Sequence, residues 1–251
     1  MNFLIVGRVI IGALLSVIVI GCSSSDSPVN TPVDIFRIIT IGEIPESQLV
    51  DIREVMTERA PVVMSNLGVS TMPLVTIKVW QDRNAFGKEF GEDATNVRGF
   101  IDSENWEVHV LNVRTPIGGG ALHEFVHLVS LSKNQGNGQI PRWLWEGVAI
   151  YESKRPPPPN PSSLMCITPY SIPSLTGLNA HPSNIYRIGN LLLEYIVNTW
   201  TYSGLVQLIR TNGSIEQSLG ITEHQFHEQW LAYANTQYNF PLDRNLRPPS
   251  C

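Results

Sequence analysis

Cysteine is scarce. Three residues in 251 cannot staple a chain of this length, so the fold must rest on an ordinary apolar core. Basic residues are also few. The 17 Lys and Arg are outnumbered by 22 Asp and Glu, no Lys/Arg cluster is present, and the net charge of −5 argues against a nucleic-acid-binding protein. Charged residues make up only 16% of the chain, while 43% is hydrophobic and 8% aromatic, a globular composition and not a disordered one. A mean hydropathy of +0.00 excludes a polytopic membrane protein. The length suits one or two domains of about 150 residues.

The N-terminal segment stands apart from the fold. Met1–Gly21 is apolar except for Asn2, Arg8 and Ser16, and Val9–Ile20 is a 12-residue apolar run interrupted only by Ser16. A helix of that length rises about 18 Å, short of a ~30 Å hydrocarbon core. The positive start, short apolar run and small residue predict a secretion signal over 1–21. The alternative is an uncleaved anchor helix over the same residues. Val19-Ile20-Gly21-Cys22 resembles the bacterial lipobox, in which the Cys is lipidated and becomes the mature N-terminus. The resemblance implies a lipid-anchored protein of the bacterial cell envelope. Ser23 after Cys22 resembles the sorting signal for the outer membrane. Residues 22–32 are polar and rich in breakers, as a tether should be.

Periodicity predicts the remaining elements. Strands are expected at Val33–Ile41, Leu74–Trp80, Arg98–Ile101 and Glu107–Leu111. In the last, Trp106, Val108 and Val110 oppose Glu107 and His109, one dry face and one wet. Helices are expected from Pro45 to near Gly68, at 120–131, at 141–152, and at 184–200, 203–211 and 222–238. The proline-rich segment 154–183 reads as irregular. Ser214 with Gln217, and Thr222 with Gln225, have capping-box spacing. Strands with helices first and helices alone later predict an α+β fold: an α/β lobe over 33–131 and a helical lobe over 132–251.

The chemistry concentrates at Ala121-Leu122-His123-Glu124-Phe125-Val126-His127-Leu128. His123 and His127 are four apart, one helical turn on one face, so both imidazoles can bind one Zn²⁺. Glu124 is about 100° further round, beside the ion and not on it, where it can take a proton from bound water. H-E-x-x-H alone is a short pattern, and a catalytic site needs a third protein ligand. Glu146 follows His127 after 18 residues, set among Trp143, Leu144, Trp145, Val148 and Ile150. A carboxylate in such an apolar helix is better explained by a metal than by solvation, and two His with one Glu match a catalytic zinc site with an open fourth position. His224 and His227 read as solvated on a late amphipathic helix, and His109 and His181 have no readable partner.

H-E-x-x-H, an 18-residue gap and Trp143-Leu144-x-Glu146-Gly147-x-Ala149 together resemble the gluzincin metallopeptidases. The likeness is close to the aminopeptidase-type core and closer to the shorter peptidase MA-like proteins of bacterial secreted and lipoprotein sequences. It extends over roughly residues 35–235 and implies a zincin-like fold, a small mixed sheet packed on the H-E-x-x-H helix. It implies His123, His127 and Glu146 as zinc ligands, Glu124 as general base and a peptide or protein substrate. Ile185-Tyr186-Arg187-Ile188-Gly189 resembles the Y-x-x-G helix start of that group, which implies that the Tyr186 hydroxyl stabilises the oxyanion. A core aromatic is the other reading of Tyr186. Gly99–Asn105 is not the G-x-M-E-N run that grips a substrate amino terminus, and Ile150 stands where thermolysin-like enzymes have an Asp. Aminopeptidase action is therefore not implied, and partners orienting the histidines are not evident.

The expectation is a lipid-anchored zinc metallopeptidase, with the strand at 107–111 offering an edge to extended substrate. The alternatives are a non-enzymatic envelope lipoprotein with a structural or vestigial zinc site, and a hydrolase of non-peptide amides. Lipidation would consume Cys22. Cys166 and Cys251 would then remain in an oxidising compartment, where they are expected to pair as a disulfide.

Overall fold

Apolar strands that alternate poorly need cover on both faces, and the centre of this molecule has that character. In the computed structural model, β1 (Phe36–Ile41), β2 (Val75–Trp80) and β4 (Glu107–Leu111) run parallel, and β3 (Gly99–Asp102) lies antiparallel to β4. The order β1–β2–β4–β3 makes one mixed sheet. β2 is buried at five of its six positions because helices cover both of its faces. The structure describes residues 35–91, 97–113, 116–134, 139–153, 174–180 and 182–238, all within the unit Asp34–Cys251. The signal segment, the tether, the stretch at 154–173, His181 and the three cysteines Cys22, Cys166 and Cys251 lie outside the described residues.

Val75, Ile77, Val79, Val108 and Val110 face α1 (Glu46–Asn66) and α3 (Gly118–Lys133) in the main core. Trp80 and Leu111 face the other way, onto Phe86 of α2 (Arg83–Phe90). After α3 the described residues are helical: α4 (Arg142–Ser153), α5 (Leu175–Ala180), α6 (Pro182–Arg210), α7 (Ile215–Leu219) and α8 (Glu223–Tyr238). The fold is mixed α+β, with a small four-stranded sheet followed by a helical region.

Several expectations need correction. β4 is hydrogen-bonded on both sides, to β2 and to β3, so the strand at 107–111 has no free edge. The outer edge next to it belongs to β3. Nor is the second face of β4 wet: Trp80 and Phe100 flank His109, and Leu111 clusters with Trp80 and Phe86. His109 is 1% exposed, with its ring stacked 4.2 Å from Phe100. Its Nδ1 accepts from Trp80 Nε1 at 3.2 Å, so Nε2 carries the proton and donates to Glu107 at 3.1 Å. Glu107 also pairs with Lys78 at 2.6 Å. The Thr222–Gln225 capping box forms, whereas Ser214 makes no side-chain cap bond at the start of α7. The helix α5 occupies residues expected to be irregular. α6 breaks at Thr201 (φ 60°, ψ −179°), between the two helices expected there.

Three hydrogen bonds tie α3 and α4 to α1. Asp51 Oδ2 accepts from Gly118 N at 2.6 Å and so caps α3, whose own N-cap residue Ile117 has no side-chain acceptor. A Cβ at Gly118 would lie 2.7 Å from the Asp51 carbonyl oxygen, so glycine lets α3 reach this cap. At the end of α4, Glu152 is 1% exposed and accepts from Asn66 at 3.0 Å, and Arg59 donates to its backbone oxygen at 3.1 Å. Burial raises the Glu152 carboxyl above its ordinary range, against the lowering effect of Asn66. Asp51→Ala should lower stability by about 1 kcal/mol through loss of the cap. Gly118→Ala should cost about 1–3 kcal/mol by overpacking. Urea midpoints of both variants equal to wild type would contradict this docking.

Candidate metal centre

On α3, Leu122, Phe125, Val126 and Val129 are fully buried, which fixes the rotation of the helix. His123 and His127 then share another face, with ring centroids 4.9 Å apart and planes at 86°. α4 delivers Glu146 opposite them. Its Oε2 lies 3.3 Å from His123 Nε2. Ligand atoms of His123, His127 and Glu146 all lie within 4.8 Å of one another, so the group could hold a metal ion. The predicted spacing thus brings its three candidate ligands together.

The electrostatics suit a cation. Burial pushes His127 down to about 3, with His123 adding to the effect, so its imidazole stays neutral and able to ligate. Burial acts to raise Glu146, but contact with His123, His127 and the Tyr186 hydroxyl outweighs it and holds this carboxyl below its ordinary range. His127 Nδ1 and Glu146 Oε2 are buried without a hydrogen-bond partner among the described residues. Such atoms are costly unless something pairs with them. Two imidazole nitrogens and one carboxylate are also a donor set that zinc accepts. The residues fit the ion.

Glu124 projects beside this group. Burial raises its carboxyl to about 7, with His123 opposing and Glu146 reinforcing the shift. A carboxyl that titrates near neutrality can both accept and return a proton.

Tyr186 is 47% exposed and therefore not a core aromatic. Its position follows from a close helix crossing. A Cβ at Gly147 would run into Leu193 Cδ2, and one at Gly189 would sit 3.4 Å from the Gly147 Cα. α4 and α6 can approach there because both residues are glycine. Glu146 and Tyr186, one and three residues before them, meet as a result. The Tyr186 hydroxyl is desolvated and lies against the Glu146 carboxylate, which together push it up to about 12, so it remains a protonated donor.

Among the described residues no carboxylate orients the histidines from behind. Ile150 is 2% exposed in the core. Instead the indole of Trp145 stacks on His127 at 4.1 Å and 5°. Its role was not evident from the chain, where Trp145 reads as one more apolar residue of α4. Its place next to Glu146 is the one signal that could have pointed to it. His224 is exposed and pairs with Glu228 at 3.4 Å, as expected of a solvated helix face. His227 departs from expectation: it is half-buried beside Trp230, with Nε2 unpaired among the described residues.

No family model matches the chain, and a search of curated proteins finds no match.

Ligand histidines are usually oriented by a hydrogen-bonded second partner, whose loss costs about 10–100-fold in metal affinity. With stacking in that place, Trp145→Ala should weaken Zn²⁺ binding by about tenfold or more, and Trp145→Phe should retain most of it. Competition with a chromophoric chelator measures both. Equal affinity in Trp145→Ala and wild type would show that the stack orients nothing.

Proposed function

We propose that this chain is a zinc-dependent peptidase of the gluzincin type with a zincin-like fold, held in the bacterial cell envelope by a lipid on Cys22. The observation that carries the reading is the convergence of His123, His127 and Glu146 with the Glu124 carboxyl alongside. When bound, zinc polarises a substrate carbonyl and acidifies water. Glu124 takes the proton from the attacking water and passes it to the leaving amine. Tyr186, kept protonated, donates to the developing oxyanion. The outer edge of β3, which pairs with no strand among the described residues, offers its backbone to an extended peptide, in place of the edge first expected at 107–111.

The rival reading is a non-enzymatic envelope lipoprotein with a structural or vestigial zinc site. A structural site has no use for a second carboxyl group, Glu124, held near neutrality beside the three ligands, and that favours the enzyme. A hydrolase of non-peptide amides shares the chemistry and differs only in substrate, so a peptide library assayed with and without chelator separates it.

Metal analysis of the purified chain should find about one equivalent of zinc, the catalytic three-ligand stoichiometry. Glu146→Ala should lose most of it. Glu124→Gln should keep its metal and lose about 10²–10⁴-fold in turnover. Full metal occupancy in a His123→Ala/Glu146→Ala double variant would refute the site. Unchanged turnover in Glu124→Gln would remove the proposed base.

The anchor and the disulfide have a separate readout. Mass spectrometry of the natively produced protein should find a lipidated Cys22 at the N-terminus and, without reduction, a peptide joining Cys166 to Cys251. An intact Met1 ends the lipoprotein reading, and free alkylation of Cys166 and Cys251 ends the disulfide.

A further inference from the structure

Gly99 opens β3, and nothing in its backbone requires glycine, since it lies outside the left-handed region. Its surroundings do. In β3, Gly99 and Ile101 share the face turned toward α3, by the two-residue alternation of a strand. Ile101 packs on the main core, while Gly99 presents only its Cα. A Cβ built at Gly99 would fall 2.5 Å from Glu124 Oε1, 2.8 Å from Cγ and 2.9 Å from Cδ. The whole end of the Glu124 side chain rests on the space that this missing methyl leaves. Glycine in a strand often marks such a close approach. Among the described residues no hydrogen bond contributes to the state of the Glu124 carboxyl, so packing against the strand directs it.

We infer that Gly99 is a positioning residue: lacking a Cβ, it seats the Glu124 carboxylate between the edge strand and the His123–His127–Glu146 group. The inference rests on the reading of Glu124 as the general base. The three atoms nearest to such a Cβ all belong to one flexible side chain. A methyl at Gly99 therefore displaces Glu124 and leaves the sheet in place.

A double-mutant cycle in the full chain tests the seating without turnover. With chelator present, Gly99→Ala should lower Tm by about 2–4 °C, the shift expected for ~1 kcal/mol in a chain of this size. In the Glu124→Ala background, where the obstructing carboxylate is gone, the same substitution should shift Tm by clearly less. With zinc restored, Gly99→Ala should keep its metal content and lose about tenfold or more in kcat, the scale of a misplaced general base, with KM little changed. Equal Tm shifts in the two backgrounds overturn the seating. Coupled Tm shifts with an undiminished kcat overturn the positioning role. An inactive wild-type chain overturns the peptidase reading instead, and the Tm cycle still decides whether Gly99 seats Glu124.

Discussion

Taking two imidazoles and two carboxyl groups out of water within a few ångströms of one another sets the terms for the rest of this molecule. A buried polar atom without a hydrogen bond costs about 1–3 kcal/mol, and among the described residues His127 Nδ1 is in that position. The surrounding structure restrains the group from relaxing into solvent. α3 is capped by Asp51 at its N-terminus, and α4 is tied at its far end through Glu152 to Asn66 and Arg59, all three partners on α1. α1 is therefore the common brace for both ligand-bearing helices. What the cluster lacks is positive charge, which a divalent ion supplies.

Absent side chains shape the site as much as present ones. Where α4 crosses α6, glycine on both helices lets the backbones close, and Tyr186 reaches Glu146. The same economy is seen where α3 meets α1 at Gly118. Bulk is kept for the faces that must exclude water: Trp143 and Leu144 below Glu146, and Phe125 and Val126 beneath the histidines, all 2% exposed or less. The polar group sits at the seam between the sheet-bearing region and the helical region. Neither region alone contains His123, His127 and Glu146 in contact.

Local features of the site were legible in the chain; features made by elements meeting were not. His123 and His127 lie one helical turn apart whatever surrounds the helix, so their pairing follows from spacing. Glu146 was legible through its apolar setting and its distance from His127. Tyr186 stayed ambiguous because core packing and hydroxyl presentation place an aromatic equally well at a helix start. Trp145 and Gly99 act through neighbours on other elements, and no periodicity reports that. For the sheet, alternation in Glu107–Leu111 marked a strand correctly, but the burial of His109 depends on Trp80 and Phe100, which arrive from elsewhere. The helix α5 was hidden by the prolines before it.

The chain order of these elements has a consequence for assembly. β1 pairs with β2 across 39 positions, as at Arg37 and Thr76, so that part of the sheet must close a long loop before its contacts repay the entropy. By contrast β3, β4 and α3 follow one another, with β3 and β4 joined as a short antiparallel hairpin. Both histidines belong to this contiguous stretch, whereas Glu146 arrives on the next helix. During synthesis the nitrogen pair emerges ahead of its carboxylate. The group that could hold an ion is therefore complete only once α4 has docked on α3, and any metal held by all three side chains would report that docking.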